Sequence, residues 1–223
     1  MFEAVLFDLF ETLVTESSAQ IRRASSLGMA LGVDEDTYRS DWRSRRPDIV
    51  LGRCSFRDEL AQIVRRSGGT PSETLVEQLR SERVNQKAAV LRTVEPDVLA
   101  ALGALRARRL KLALVTNSFA EDVTSWDISP LRPYFDLALF SCAVGLAKPD
   151  PEIYLLACRE LRVPPARALF ISDGEDDIAG ARAAGLPARR ALWFLSKWPN
   201  ATVTGDEPGL WHAADAVRAV MGA

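Results

Sequence analysis

Short apolar runs, separated by longer amphipathic stretches, constrain the fold of this chain more than any other feature. The runs occupy residues 2–8, 110–116, 137–141, 168–172 and 188–193. Continuous apolar runs of this length are typical of strands that are buried on both faces of a parallel sheet. Helical patterns lie between them at 96–108, 151–161 and 176–184. Strands that alternate with helices predict an α/β fold built on a Rossmann-like parallel sheet.

Residues 15–92 have a different pattern and contain no convincing strand. Helical stretches lie near 18–31, 35–45, 55–67 and 72–92. Glycine and proline mark the predicted breaks between them, at Gly32, Pro47, Gly52, Gly68, Gly69 and Pro71. We therefore predict an all-helical domain of residues 15–92, inserted into an α/β core made of residues 1–14 and 93–223.

Composition excludes several classes of protein. The 223 residues are 48% hydrophobic, which is enough to bury a core without disulfides or metal. The net charge of -2 argues against nucleic acid as the main partner, because nucleic-acid binding needs a basic surface. The single histidine, His212, argues against Ser-His or Cys-His catalysis. Carboxylates, hydroxyls and lysine remain for any chemistry.

Cysteine usage and apolar run length bear on where the protein works. The odd count of three cysteines, without a CxxC pair, indicates a reducing compartment and no zinc or iron–sulfur site. No apolar run approaches the roughly 18 residues of a membrane helix, and an acidic residue, Glu3, stands where a signal peptide carries bases. We expect a cytoplasmic monomer or homodimer that acts on a small anionic molecule.

Polar residues collect where the predicted strands end. They are Asp8 and Thr12 after the first strand, Thr116 and Asn117 after the second, Lys148 after the third, and Asp173 and Asp177 after the fourth. Ligands of parallel α/β sheets bind beyond the carboxyl ends of the strands. The sequence therefore predicts one site that combines carboxylates, hydroxyls and a lysine.

The order of these segments resembles the motif series of the haloacid dehalogenase superfamily of hydrolases. The first motif is similar to Asp8–Leu13 (DLFETL), the second to Thr116-Asn117, the third to Lys148–Tyr154 (KPDPEIY), and the fourth to Ser172–Asp177 (SDGEDD). The resemblance covers the whole chain, and residues 15–92 fall where this superfamily inserts its cap domain.

The resemblance implies roles for these residues. Asp8 would be the nucleophile, while Thr12, Thr116 and Lys148 would hold the transferring oxygens as catalytic residues. Mg²⁺ would be bound by the side chains of Asp8 and Asp173 and by the backbone carbonyl of Phe10, with Asp177 lying behind these ligands or binding the metal through water. Asn117, mainly through its backbone and orientation, and Arg43 of the cap are the expected substrate-binding residues. Electrostatics agrees, because two converging carboxylates repel each other unless a cation lies between them.

Phe10 departs from the pattern of the superfamily's phosphatases, which carry a general acid–base Asp two residues after the nucleophile. Loss of a general acid lowers the rate by roughly 10²–10⁴, which is about 3–5 kcal/mol of barrier. One interpretation is a Mg²⁺-dependent phosphohydrolase that works through an aspartyl-phosphate on Asp8 and prefers acyl or aryl phosphates. Either its leaving group needs no proton or the donor comes from elsewhere. Glu11, Glu16 and Glu175 are the candidate donors nearby in sequence, although we expect Glu11 to be a turn residue that points to solvent.

Two other interpretations stay open. The first is a 2-haloacid dehalogenase, since those relatives also carry an aromatic residue at this position and halide leaves without a proton. Trp42-Arg43 and Tyr154 fit that family, whereas Asp173 does not, because an unneutralised carboxylate repels an anionic substrate. The second is a weakly active or non-catalytic member that binds a phosphorylated ligand or a protein.

Overall fold

The computed structural model of the protein describes residues 1–17, 24–194 and 209–221. Its five described strands are β1 (Ala4–Phe7), β2 (Lys111–Thr116), β3 (Leu137–Phe140), β4 (Ala168–Ser172) and β5 (Ala188–Arg190). They pair in parallel in the order β3-β2-β1-β4-β5. The predicted α/β fold with a Rossmann-like parallel sheet is confirmed.

Helices flank the strands in the expected order. Five described helices lie between β1 and β2, and the last of them leads into β2. They are α1 (Ala24–Leu31), α2 (Glu35–Val50), α3 (Phe56–Arg66), α4 (Glu73–Arg92) and α5 (Pro96–Ala107). The later helices are α6 (Ser141–Val144), α7 (Pro151–Leu161), α8 (Glu175–Ala183) and α9 (Asp215–Met221). The start of the predicted helix 18–31 falls on residues 18–23, outside the described residues. Side-chain caps from Asp34, Ser55 and Ser72 begin α2, α3 and α4.

Pro47 does not end a helix, contrary to the prediction from its sequence. Helix α2 continues through Pro47 to Val50, and the amide of Leu51 donates to the Pro47 carbonyl at 3.0 Å. Proline removes one hydrogen bond to the carbonyl four residues earlier, which belongs here to the exposed Arg43. Water can satisfy that carbonyl, so the helix tolerates the proline.

Helices cover both faces of the sheet, which explains why the central strands β1 and β4 are apolar at almost every position. Val5 and Phe7 of β1 face one cluster that includes residues of α5 and α9, whereas Ala4 and Leu6 face a second cluster that includes residues of α7 and α8. A third cluster fills the interior of α1–α4 and also takes in Phe119, from the segment that follows β2. The boundary of the inserted helical domain at residues 14–15 and 92–93 stays a prediction.

Within the described ranges, none of the helices combines the length and the apolar character that crossing a lipid bilayer requires.

Candidate active site

The register of the sheet brings the first and fourth motifs together. Phe7, the last residue of β1, pairs with Ile171 of β4, and the amide of Asp8 donates to the Ile171 carbonyl at 3.0 Å. Thr12 completes this junction, because its hydroxyl accepts from the amide of Asp173 at 3.1 Å and lies 3.4 Å from Asp173 Oδ1. Asp8 and Asp173 therefore begin neighbouring loops at the same edge of the sheet.

Lys148 reaches the same edge from the third motif. Its Nζ lies 2.5 Å from Asp8 Oδ1 and 2.6 Å from Asp177 Oδ2, and only 5% of the residue is exposed. Asp177 Oδ2 also accepts from the hydroxyl of Ser172 at 2.9 Å. A buried ammonium thus links the predicted nucleophile to an acidic residue of the fourth motif.

Asn117 holds the main chain of this lysine. Its side-chain amide donates to the carbonyl of Lys148 at 2.7 Å, and its Oδ1 accepts from the Lys148 amide at 2.8 Å. Both polar atoms of the Asn117 side chain are therefore engaged with Lys148. This geometry fits a residue that orients the lysine.

The charges of the cluster do not balance. Three carboxyl groups, from Asp8, Asp173 and Asp177, lie near a single ammonium, which contacts Asp8 and Asp177. Burial raises the pKa of Asp8, and the Lys148 ammonium offsets part of that rise. Burial, followed by the charge of Asp8, raises the pKa of Asp173 to about 7. Burial alone would lower the pKa of Lys148, but Asp8 and Asp177 outweigh it and raise that pKa, so the ammonium stays charged.

A divalent cation fits this donor set. No three His, Cys, Asp or Glu side chains among the described residues form a metal cluster by themselves. Mg²⁺ commonly takes only one or two carboxylates, with water and substrate oxygens completing its shell. Asp8 and Asp173 supply two carboxylates, and no described residue donates a hydrogen bond to the Phe10 carbonyl. Two positive charges would offset the excess negative charge of the cluster.

Thr116 contributes an unpartnered hydroxyl. The residue is 1% exposed at the end of β2, and its Oγ1 has no hydrogen-bond partner in the described part of the chain. A buried hydroxyl without a partner is energetically unfavourable. Such an atom fits a site in which a bound substrate supplies the missing oxygen.

The three carboxylates considered as substitute proton donors are all engaged. Glu11 accepts from the Thr15 hydroxyl at 2.8 Å and from the Glu16 amide at 2.7 Å, so it braces its loop instead of pointing freely to solvent. Glu16 forms an ion pair with Lys87, and Glu175 forms one with Arg190. The ring of Phe10 is half-buried and lies against Lys87, whose Nζ is 3.9 Å from the ring centroid.

Arg43, Trp42 and Tyr154, which the dehalogenase interpretation suggests, form no hydrogen bond or ion pair with the side chain of Asp8 in the described part of the chain. Arg43 is exposed on α2, and no described residue forms an ion pair with it. Trp42 stacks on Tyr38 and meets Phe119 edge-on, with ring centroids 5.8–5.9 Å apart. The hydroxyl of Tyr154 donates to the Asp177 carbonyl at 2.8 Å, so it supports the fourth motif.

Two supporting residues were not identified from the sequence. Trp193 Nε1 donates to the Thr12 carbonyl at 2.8 Å, and Arg190 Nε donates to the Asp173 carbonyl at 2.9 Å. Both lie at or just beyond β5, which the sheet order places next to β4. The only available signal was their position after the fifth apolar run, and that position predicts packing as readily as support of a site.

The fold and the site together define a class of hydrolase in which an aspartate at the end of a central parallel strand faces a lysine and an acidic loop. The chain belongs to the haloacid dehalogenase-like hydrolase family, whose model matches residues 2–185. It is 32% identical over 210 residues to the phosphoglycolate phosphatase of Salmonella typhimurium, covering 82% of this chain and 79% of the relative.

Two solved structures show the same architecture. The CbbY protein of Rhodobacter sphaeroides, solved in complex with phosphate, superimposes with a TM-score of 0.63 at 25% identity, over 96% of both chains. The 2-haloacid dehalogenase of Pseudomonas syringae pv. Tomato superimposes with a TM-score of 0.69 at 23% identity, over 100% of this chain and 99% of the dehalogenase. The latter likeness concerns the fold alone. Family membership and the phosphatase relatives identify the chain as an enzyme and favour a phosphatase over a dehalogenase.

Proposed function

We propose that the protein is a Mg²⁺-dependent phosphohydrolase that forms an aspartyl-phosphate on Asp8. The observation that carries the proposal is the buried contact of Lys148 with Asp8 and Asp177, next to Asp173. Lys148 orients the Asp8 carboxylate through Oδ1, so Oδ2 is the proposed nucleophilic atom. Mg²⁺ bound by Asp8, Asp173 and the Phe10 carbonyl would offset the charge of a phosphate dianion.

The reaction has two steps at the same carboxylate. Asp8 Oδ2 forms a bond to phosphorus as the bond to the leaving oxygen breaks, and water then cleaves the acyl phosphate to release phosphate and restore the carboxylate. The Lys148 ammonium and the unpartnered Thr116 hydroxyl stabilise charge on the transferring oxygens. Thr12 contributes by holding the Asp173 loop against the nucleophile loop.

The leaving group decides which substrates react fast. Phe10 cannot transfer a proton, and Glu11, Glu16 and Glu175 are each engaged by neighbouring groups. Acyl and aryl phosphates expel a stable anion, so their cleavage does not need a proton donor. We therefore propose small acyl or aryl phosphates as the preferred substrates and much slower turnover of alkyl phosphates. The phosphatase names of several relatives support a small phosphorylated substrate.

A 2-haloacid dehalogenase is the second candidate, and Phe10 is the observation that favours it. Halide leaves without a proton, so the missing acid would not matter. The Asp173 carboxyl weighs against it, because an anionic haloacid would approach a cluster that already carries excess negative charge.

One substrate panel separates the candidates. Phosphate release from an acyl, an aryl and an alkyl phosphate, and chloride release from 2-chloropropionate, are measured with Mg²⁺ and with EDTA. Wild type is compared with Asp8→Asn. We expect Mg²⁺-dependent phosphate release from the acyl and aryl substrates, absent in Asp8→Asn. Chloride release that persists in EDTA would contradict the phosphohydrolase proposal and support the 2-haloacid dehalogenase.

A further inference from the structure

Helix α4 directs two cationic side chains onto two different loops of the site. Arg83 and Lys87 are four residues apart, so they lie on the same side of the helix. Lys87 contacts the loop that follows β1, and Arg83 contacts the segment that follows β2. Asp8, the predicted nucleophile, begins the first of these loops. Thr116, which has the unpartnered hydroxyl, is the last residue of β2 and directly precedes the second segment.

The Lys87 contact is buried and has two parts. Lys87 is 6% exposed, forms an ion pair with Glu16, and lies with its Nζ 3.9 Å from the centroid of the Phe10 ring. The Glu11 carboxylate accepts hydrogen bonds from the Glu16 amide and the Thr15 hydroxyl. Hydrogen bonds within the loop therefore hold the part that Lys87 contacts. A buried ammonium loses much interaction energy when it leaves both a carboxylate and an aromatic ring.

The Arg83 contact is bidentate. Its Nε and Nη2 donate to the two carboxylate oxygens of Asp122 at 2.7 and 2.9 Å. The guanidinium also lies 4.4 Å from the centroid of Phe119 and 5.0 Å from that of Phe56. Asp122 in turn accepts from the Phe119 amide at 3.1 Å, three residues beyond Thr116. The bidentate geometry fixes the direction of the contact as well as its strength.

We propose that Lys87 and Arg83 are positioning residues through which α4 sets the conformation of the two catalytic loops. Lys87 holds the loop that follows β1 through Phe10 and Glu16. Arg83 holds the segment that follows β2 through Asp122 and Phe119. Loss of either contact is expected to release the loop that it holds. The inference rests on the proposed roles of Asp8 and Thr116.

Hydrogen exchange tests the two contacts without requiring turnover. The variants are Lys87→Met and Arg83→Met, with Arg80→Met as the matched control, since Arg80 pairs with Glu77 on the same helix. Lys87→Met is expected to speed exchange of the Leu13 and Val14 amides, both bonded to the Leu9 carbonyl, by roughly tenfold. Arg83→Met is expected to do the same for the Phe119 and Asp122 amides, and Arg80→Met for neither pair.

Kinetics and a conservative variant separate positioning from general stability. Lys87→Met should lower kcat roughly tenfold or more with KM changed less than about twofold, and Lys87→Arg should restore both kcat and protection. Uniformly faster exchange over the whole chain, or unchanged exchange in both loops, would overturn the inference. If wild type releases no phosphate while each loop responds to its own variant, the proposed function fails and the coupling stands.

Discussion

Lys148 Nζ lies 2.5 Å from Asp8 Oδ1, and this buried contact joins residues 140 positions apart in the chain. The same ammonium lies 2.6 Å from Asp177 Oδ2, so one cation serves two carboxylates. The two partners of the contact are therefore not equivalent. Removal of the lysine leaves the buried Asp8 and the partly buried Asp177 without their cation, whereas removal of the Asp8 charge reduces the excess of negative charge.

This asymmetry predicts that the two substitutions have unequal effects on stability. Lys148→Met should lower the free energy of unfolding by about 3–5 kcal/mol, as expected when one partner of a buried pair is lost. Asp8→Asn should change the free energy of unfolding by less than about 1 kcal/mol but lower the rate of phosphate release by about 10³-fold or more. Urea denaturation gives the first quantity and phosphate release the second. A greater loss of stability in Asp8→Asn would contradict the charge balance described for the cluster.

Asn117→Ala tests whether Asn117 orients Lys148. The variant removes two hydrogen bonds to the Lys148 main chain and leaves every charge in place. We expect kcat to fall by about 10-fold or more, because a displaced lysine stabilises the transition state less, with little change in KM. Steady-state kinetics on an aryl phosphate measures both constants. A large rise in KM at constant kcat would instead indicate direct substrate binding by Asn117.

Two helical glycines make a matched pair for testing how tightly the third motif is packed. A Cβ at Gly180 of α8 would lie 2.2 Å from the Pro149 carbonyl oxygen, next to Lys148. A Cβ at Gly103 of α5 would have its nearest neighbour, in Tyr134, at 3.8 Å. Gly180→Ala should destabilise the protein by about 1–3 kcal/mol and reduce kcat. Gly103→Ala should stabilise it by up to about 1 kcal/mol through helix propensity and leave kcat unchanged. Equal melting temperatures of the two variants would refute the close approach.

Metal binding is expected to raise thermal stability through Asp173. Protein stripped with EDTA should melt several degrees higher after Mg²⁺ is added, since a ligand at about 100 times its Kd contributes about 2.7 kcal/mol. Asp173→Asn should lose most of this gain, because it removes one of the two proposed carboxylate ligands. Differential scanning calorimetry with a Mg²⁺ titration measures the shift. An undiminished shift in Asp173→Asn would place the metal elsewhere.

The buried thiol of Cys158 should make the stability of the protein depend on pH, and this effect does not involve the candidate active site. Burial raises the pKa of its thiol from 9.0 to about 11, with Arg159 opposing the rise. A raised folded-state pKa means that the stabilising contribution is complete below pH 9 and is lost as the pH rises towards 11. The stability advantage of wild type over Cys158→Ala should therefore shrink by about 2 kcal/mol over this interval. Urea denaturation at pH 8.5 and 10.5 measures the change, and a constant difference would show that the thiol titrates normally.

Local sequence patterns determined the sheet and most of the helices. The five apolar runs correspond to β1–β5. The rule that a strand buried on both faces is apolar along its length holds for the central strands, whereas the edge strand β5 carries two arginines. The fifth strand ends at Arg190, earlier than its run predicts, since pairing with β4 stops there. Pro47 shows where prediction from the local sequence fails. A helix tolerates proline when water can reach the carbonyl four residues earlier, here that of the exposed Arg43.

The residue types of the site were also readable from the sequence, since polar groups at the ends of parallel strands must meet at one edge. Their pairings were not. That Asn117 bonds to the Lys148 backbone, that Trp193 holds Thr12, and that Lys87 lies on Phe10 are contacts between segments far apart in the chain. Such contacts depend on the register of the sheet and on how α4 docks against it. Sequence periodicity gives only the direction of each side chain relative to its own helix or strand. The tertiary structure alone therefore decided which groups are paired and which, like the Thr116 hydroxyl, have no hydrogen-bond partner among the described residues.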